Sequence, residues 1–432
     1  MAAQVTRQSK DSITIEVTVP LGGSMLQSEE AIQDGLNEVG LLATEEKLKR
    51  FDTDGSPIQL GSVRMTSKGQ FSQDYETPYG IVAVPRHVYQ TSEGGKTFCP
   101  LEENARMVLN ATPKFAKLVS YKYAEAGADA VVDDLLECHH RKISKRYVKS
   151  LGDIVGTYAV AKEEAWNYAL PEFERPCASV AIGVDGTCML LQEDGWRVAM
   201  TGTIAFYDAQ GERLHTIYTG ATPEYGKELF HTKFRREVER VKEAYPNVPY
   251  IGLGDGAADN WSYLKPMTDQ QTLDFYHAGE YVGKAAVVMF KGKGAKKKEE
   301  REAWLGDQLH QLKHKRGAAS RLLSLLDDFV STTLLKNAED AKTIMATITY
   351  LQNQKGRMNY AYSVERNWPI GSGVTEAACK TLIKHRLCKS GSRWKDDGAL
   401  AVLSIRALRL TPGRWQEFWR NIDRYGCPTL LA

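Results

Sequence analysis

CASVAIGVDGTCMLLQ, Cys177 to Gln192, reads as a buried strand with an acid inside it. Apolar residues flank Asp185 on both faces. Asp is poorly suited to a strand interior, so this one needs a role or a buried partner. Downstream, WRVAMTGTIAFYDAQGERLHTIYTG (196–220) reads as a hairpin and EYGKELFHTKFRREVERVKEAYP (224–246) as an amphipathic helix. PYIGLGDGAADN (249–260) is another strand, and TLDFYHA (272–278) a fifth. Strand, strand, strand, helix, strand, helix, strand is the order of an α/β domain with a mixed sheet. The alternation then stops. KGKGAKKKEER (291–301) is a solvated charge run, and residues 302–358 read as helical throughout. The segment 291–360 therefore looks like a helical insertion between the first part of the α/β domain (176–290) and its last part (361–432).

Upstream, residues 28–50 read as a helix with Ser28 as its N-cap. The stretch from Ser56 to Phe98 is β-rich, with GIVAVPRHVYQ as one strand of a hairpin ending at Gly94-Gly95. This N-terminal module closes near residue 100. Residues 101–160 turn helical, and AGADAVVDDLLECHHRKISKRYVKSLGDIV carries two apolar-periodic runs around a break at His139–Ile143. Ser144 can cap the second run, where Arg141, Lys142, Lys145, Arg146 and Lys149 cluster. Two readings are open: a helix-turn-helix that meets DNA, or an ordinary helical pair with a solvated basic face. Residues 160–174 read as a linker helix and loop.

A chain of 432 residues is too long for one ordinary core, while 42% hydrophobic and 25% charged residues are normal for a soluble protein. The formal net charge of +2 says little, because the basic residues are locally clustered. Seven cysteines with no C-x-x-C pair argue against a disulfide framework, and Cys138-His139-His140 lacks the spacing of a four-ligand zinc site. The first twenty residues lack the apolar core of a signal peptide, and no stretch approaches the ~20 apolar residues that span a bilayer. A cytoplasmic protein with no membrane partner is expected.

Two further acids stand out. Asp255 ends YIGLGDG between Gly254 and Gly256, where strand carboxyl ends meet ligands; D-G is also a common turn dipeptide. Glu376 lies in WPIGSGVTEAACKTLIKHRLCKSGSRWK (368–395). Read as a helix, that segment places Glu376 on one stripe with Cys379, Ile383 and Leu387. An unpaired buried carboxylate costs several kcal/mol in practice, and three inward acids repel unless cations sit between them. Oxygen donors of this kind suit Mg²⁺ or Mn²⁺, and two such ions serve in-line phosphoryl displacement. Lys380, Lys384, Arg386, Lys389, Arg393 and Lys395 could then hold a phosphate backbone, with Trp394 either stacking on a base or anchoring a core.

VAIGVDG, LGDGAADNW, LDFYHAGEYV and IGSGVTEAACKTLIKHRLCKSGSRW together resemble the DDE transposases of bacterial insertion sequences, most closely the ISKra group. Asp185 and Asp255 are 70 positions apart, and Glu376 lies 121 beyond Asp255, a gap that a helical insertion before the last helix would produce. The likeness covers roughly residues 176–410, and its last motif is the most specific. It implies an RNase H-like fold, with Asp185, Asp255 and Glu376 as catalytic ligands of two Mg²⁺ (or Mn²⁺) ions. Asp274 and His277 resemble a D-x-x-H signature that supports the active complex; a satisfied core histidine is the alternative for His277. Asp259 is a weaker fallback ligand. The implied activity is metal-dependent DNA cleavage and strand transfer. The implied partners are double-stranded DNA (terminal inverted repeats and target) and a second copy of the chain or more, in a nucleoid-associated bacterial setting. Many relatives carry a Cys-rich finger near the start, whereas GGKTFCPLE keeps only Cys99. A DNA-binding derivative without catalysis and an RNase H-like nuclease without strand transfer are the rival expectations.

Overall fold

The computed structural model describes residues 3–224, 227–292, 294–335 and 337–428. Tyr225, Gly226, Lys293 and Lys336, which fall in segments read above, lie outside these. The chain folds into two compact units. One comprises residues 1–168, 397–409 and 413–432; the other comprises 169–396 and 410–412.

The first unit opens with a short antiparallel pair, β1 (Ala3–Gln8) and β2 (Ile13–Val17), followed by the helix α1 (Met25–Lys49). The cap of α1 is Ser24, not Ser28: Ser24 and Gln27 form a reciprocal capping box, and Ser28 is buried one turn inside. Strands β3 (Ile58–Leu60), β4 (Val63–Glu76), β5 (Ile81–Thr91) and β6 (Gly94–Phe98) form an antiparallel sheet in that order. Tyr75, Val82 and Val84 from this sheet pack with Leu48 of α1 and Leu101 of α2 (Pro100–Asn104). Then come α3 (Pro113–Glu125), α4 (Ala128–His139) and α5 (Lys145–Lys162). His140 ends α4 in the left-handed conformation, and Ser144 caps α5 by accepting from the Tyr147 N–H, as the sequence suggests.

The second unit is mixed α/β. Strands β7 (Ser179–Leu191), β8 (Gly195–Tyr207) and β9 (Arg213–Ala221) form an antiparallel meander. The helix α6 (Glu228–Ala244) leads to β10 (Tyr250–Gly254), and α7 (Ala258–Leu264) to β11 (Gln270–Leu273). Both β10 and β11 run parallel to β7, giving the sheet order β11-β10-β7-β8-β9. TLDFYHA is only half strand: β11 stops at Leu273, Asp274 caps α8 (Phe275–Met289), and His277 lies in that helix's first turn. The Asp274 carboxylate accepts from the His277 N–H, and this cap wins over continued pairing.

Strand alternation sends Val180, Ile182 and Val184 to one sheet face. They join Phe230, Phe234 and Val238 of α6 and Val282 of α8 in the main core. The helical segment continues that core: α9 (Ala295–His314), α10 (Ala318–Thr332) and α11 (Ala338–Gln354) add Leu312, Leu322, Leu326, Ile344 and Leu351. Residues 295–299 of the charge run are the exposed opening of α9. Ala181 points to the other face with Ala205, Ile251 and Leu253, where Trp368 and Val374 pack. After α12 (Tyr360–Val364), α13 (Gly373–Ala378) lies on this second face, followed by a π-helical stretch (Cys379–Lys384) and α14 (His385–Leu387). The last helices, α15 (Asp396–Leu410) and α16 (Arg414–Tyr425), group almost wholly with the first unit. There buried Arg406 binds Ala124 O and Glu125, and Phe418 packs edge-on to Trp166. No helix among the described residues is long and apolar enough to cross a membrane.

Candidate active site

Register places the acids. In the parallel pairs Gly183 faces Leu253, and Gly254 faces Leu273. Continued two residues past the first pair and one past the second, the register brings Asp185 of β7 level with Asp255 and Asp274, which stand just past the ends of β10 and β11. Neighbouring strands lie ~4.8 Å apart, so the carboxyl ends of β10 and β11 carry a row of acids beside Asp185. Asp185 shares the parity of Ala181 and Gly183 and faces α13. Gly183 permits the close approach: a Cβ there would stand 2.1 Å from Thr375 Oγ1. Thr375 in turn meets Thr203 Oγ1 at 2.7 Å, fixing α13 on the sheet one residue before Glu376.

A cleft of about 250 Å³ opens at this point. Asp185, Asp255, His277, Ser372, Glu376 and Lys380 are among its walls, with Cys379 and Lys384 beside them. The Gly186 N–H donates to Asp185 Oδ1 at 2.7 Å, and the Cys379 thiol lies 3.4 Å from Oδ2. Burial raises the Asp185 carboxyl above its ordinary range; the charges of Asp255 and Glu376 add to this, against the Gly186 and Cys379 hydrogen bonds. Burial and the Asp185 charge push the Cys379 thiol up to about 12, so it stays a protonated donor. The Asp255 turn is braced: the Ala257 N–H donates to Oδ1 at 3.2 Å, the Tyr350 phenol donates to Asp255 O at 2.7 Å, and Gln354 donates to Gly256 O at 3.0 Å. Gly256, at φ 111°, makes the turn possible.

Glu376 is not buried on the stripe with Cys379, Ile383 and Leu387. Those three are buried, while the Glu376 side chain is 41% exposed and opens to the cleft. The π-helical stretch begins between them, changing the helical phase right after the acid. Ser372 Oγ donates to Glu376 Oε1 at 2.7 Å and also lies 2.9 Å from Asp274 Oδ2. Asp274 is fully buried; besides Ser372 it accepts from the His277 N–H at 2.7 Å. His277 Nδ1 stands 3.3 Å from Asp274 Oδ1 and 3.7 Å from Glu376 Oε1. Burial alone would depress His277, but the Asp274 hydrogen bond and charge, with Glu376 and Glu280, carry it above its ordinary value.

Asp185, Asp255 and Glu376 thus share one cleft. The tightest set of ligand atoms among the described residues is a different one, however. Asp274, His277 and Glu376 bring one ligand atom each within 4.8 Å of one another, and Asp185 and Asp255 belong to no group that close. Asp259 is exposed on α7 and lines no part of the cleft. Thr375 and Tyr350 carry no signal of a site role in the sequence, Ser372 only that of the tight I-G-S-G turn, and Cys379 only that of one position on an apolar stripe.

The basic residues divide. Lys380, Lys384, Lys389, Arg393 and Lys395 are exposed. Arg386 is buried with its guanidinium 4.9 Å from the Trp394 ring, and the Trp394 indole donates to Leu387 O at 2.9 Å. Trp394 also bridges the C-terminal end of β7 beyond its pairing with β10, where its carbonyl accepts from the Gln192 N–H. Arg386 is therefore an internal anchor and not a surface cation, with half-buried Trp394 packed against it. The same correction applies to Arg141, which is buried, ion-paired with Glu76, bonded to Thr77 O and set over Phe115. Lys142, Lys145, Arg146 and Lys149 remain exposed, with Lys145 paired to Asp129 at the surface.

No protein-family model and no curated protein matches the chain.

Proposed function

We propose that the second unit is an RNase H-like catalytic domain and that the chain is a DDE-type DNA transposase. The observation carrying this reading is the register: Asp185 on β7 and Asp255 just past the end of the adjacent parallel strand β10, with Glu376 facing the same cleft from α13. The all-oxygen donor set fits Mg²⁺ or Mn²⁺, and the charges of Asp255 and Glu376 add to the burial that raises the Asp185 carboxyl. Two ions held by Asp185, Asp255 and Glu376 would supply a nucleophile at neutral pH and stabilise the leaving oxygen of a phosphodiester.

The chain's own groups do the positioning. The Gly186 and Ala257 N–H groups fix one oxygen each of Asp185 and Asp255, leaving the second oxygen of Asp255 to the cleft. Ser372 orients Glu376, and the Asp274 cap with His277 fixes the floor beneath it. Lys380 and Lys384 stand at the cleft to take the flanking phosphates. In the first unit, α4 and α5 form the helix-turn-helix that binds terminal inverted repeats through Lys142, Lys145, Arg146 and Lys149. Two ends are joined in one event, so a homodimer or larger assembly on DNA follows, in the bacterial cytoplasm at the nucleoid.

Purified protein, a labelled duplex ending in the terminal repeat that flanks the coding region, a supercoiled plasmid and Mg²⁺ test this. The reading expects label covalently joined to the plasmid. Cleavage of the duplex without joining would make the chain a nuclease, and no Mg²⁺-dependent product would leave the binding-only rival.

A further inference from the structure

The second unit carries a basic groove away from the acids. Two adjoining depressions, of about 680 and 500 Å³, share Gly356 and Asn359 on the turn that follows α11. The first lies along β11, an edge strand of the sheet, and includes Lys265 and Arg357; the second includes Lys315, Arg316 and Lys355. Of these five cations only Arg316 has a carboxylate partner within ion-pair distance among the described residues, Glu365. Asp269 is the one acid lining either depression, and its Oδ2 already accepts from the Tyr250 N–H.

Arg357 is the informative residue. Its guanidinium stacks 4.7 Å from the Trp261 ring and donates to the side-chain oxygens of Gln271 and Gln354, at 2.9 and 3.2 Å. All these partners are neutral. A half-buried guanidinium held in a fixed plane by uncharged groups keeps its charge available to an incoming anion. Around it the walls offer the amides of Gln270, Asn353 and Asn359. Lys, Arg and amide side chains are the groups that meet phosphate oxygens in protein–DNA contacts.

We propose that this groove binds the phosphate backbone of a DNA duplex, as a second contact distinct from the cleft and from the helix-turn-helix. The inference rests on the transposase reading for its choice of DNA. A consequence follows from α11. Its C-terminal end borders the groove, and from the same helix Tyr350 and Gln354 hold the Asp255–Gly256 turn. DNA seated on Arg357 therefore presses on the helix that positions a proposed metal ligand.

The test is a salt titration of duplex binding by fluorescence anisotropy. It compares full-length Asp185→Asn protein with the same protein carrying Lys265→Ala, Lys315→Ala and Lys355→Ala. Because these lysines are exposed, circular dichroism should show an unchanged fold. Each phosphate contact contributes ~0.9 to the slope of log K against log salt, so the triple variant should lose about 2–3 from that slope. A control triple, Lys296→Ala, Lys297→Ala and Lys298→Ala on α9, should lose less than about 1. An unchanged slope in the groove variant, or equal losses in both triples, overturns the groove. Inorganic phosphate binding that the groove triple abolishes, with the DNA slope untouched, overturns it in favour of a small-anion pocket. Binding is read without catalysis, so the groove can fail while the transposase reading stands. Plasmid joining can equally be absent while the slope loss is observed.

Discussion

Gly183→Ala is the sharpest lever on the site, because it reaches Glu376 without touching it. The new methyl would stand 2.1 Å from Thr375 Oγ1 and 3.3 Å from Thr203 Oγ1, where ordinary contact begins near 3.4 Å. Two relaxations are open. If Thr375 rotates, the 2.7 Å hydroxyl pair with Thr203 breaks inside the core, and each buried hydroxyl left unpartnered costs about 1–3 kcal/mol. If α13 moves instead, it must lift by about 1 Å. Overpacking of this kind costs about 1–3 kcal/mol, and the shift passes directly to Glu376. A misplacement of ~1 Å at a reacting centre costs on the order of 100-fold in rate. We therefore expect Gly183→Ala to lose about 1–3 kcal/mol in urea unfolding and to drop Mg²⁺-dependent DNA cleavage at least tenfold. Thr375→Ala on top of it removes the clash and should recover part of both losses, a positive coupling in the double-mutant cycle. A Gly183→Ala protein as stable and as active as the wild type would refute the packing argument for how α13 is placed.

Asp274→Ala removes the cap of α8 and leaves the Ser372 and His277 N–H groups unpartnered in a buried site; we expect a loss of about 2–4 kcal/mol by urea unfolding. Arg141→Met should destabilise by about 3–5 kcal/mol because Glu76 is left without its buried partner, whereas Lys142→Ala and Lys149→Ala should each stay within about 0.5 kcal/mol. The raised Asp185 carboxyl fixes a sign for pH. Its folded value lies above the ordinary 3.8, so its contribution to stability is fully present below that value and is lost as pH rises through the folded value. In chelator at pH 7, Asp185→Asn should melt higher than the wild type in a thermal scan, and saturating Mg²⁺ should narrow the gap; a lower-melting Asn variant would reverse the reasoning.

The apolar runs of β7, β10 and α6 were legible because strand and helix periods leave opposite signatures, and so were the acid inside an apolar strand, Asp185, and the glycine-flanked Asp255. The row they form was not, since which strands neighbour one another and in what register is set by long-range pairing. Three kinds of residue escaped the sequence. Asp274 read as part of a strand because its capping role depends on where β11 stops. Arg141 and Arg386 read as surface cations because their partners, Glu76 and Trp394, are remote or lie across a turn. Glu376 reads as buried on the stripe of an uninterrupted helix, and no residue type announces the π-helical stretch after Ala378. The C-terminal helices follow the α13 region directly in the chain, yet Arg406 and Phe418 find their partners at Glu125 and Trp166, a choice that adjacency in sequence conceals.

If Asp185, Asp255 and Glu376 act as one metal-dependent site on DNA, each must be needed for cleavage and none for binding. Nicking of an end-containing duplex by wild type and by the single variants Asp185→Asn, Asp255→Asn and Glu376→Gln, with Mg²⁺ and with chelator, measures this. Wild-type nicking should vanish in chelator and fall at least 1,000-fold (~4 kcal/mol) in each variant, with duplex binding retained. Nicking that survives in chelator, or in any one of the three variants at near wild-type rate, would contradict it.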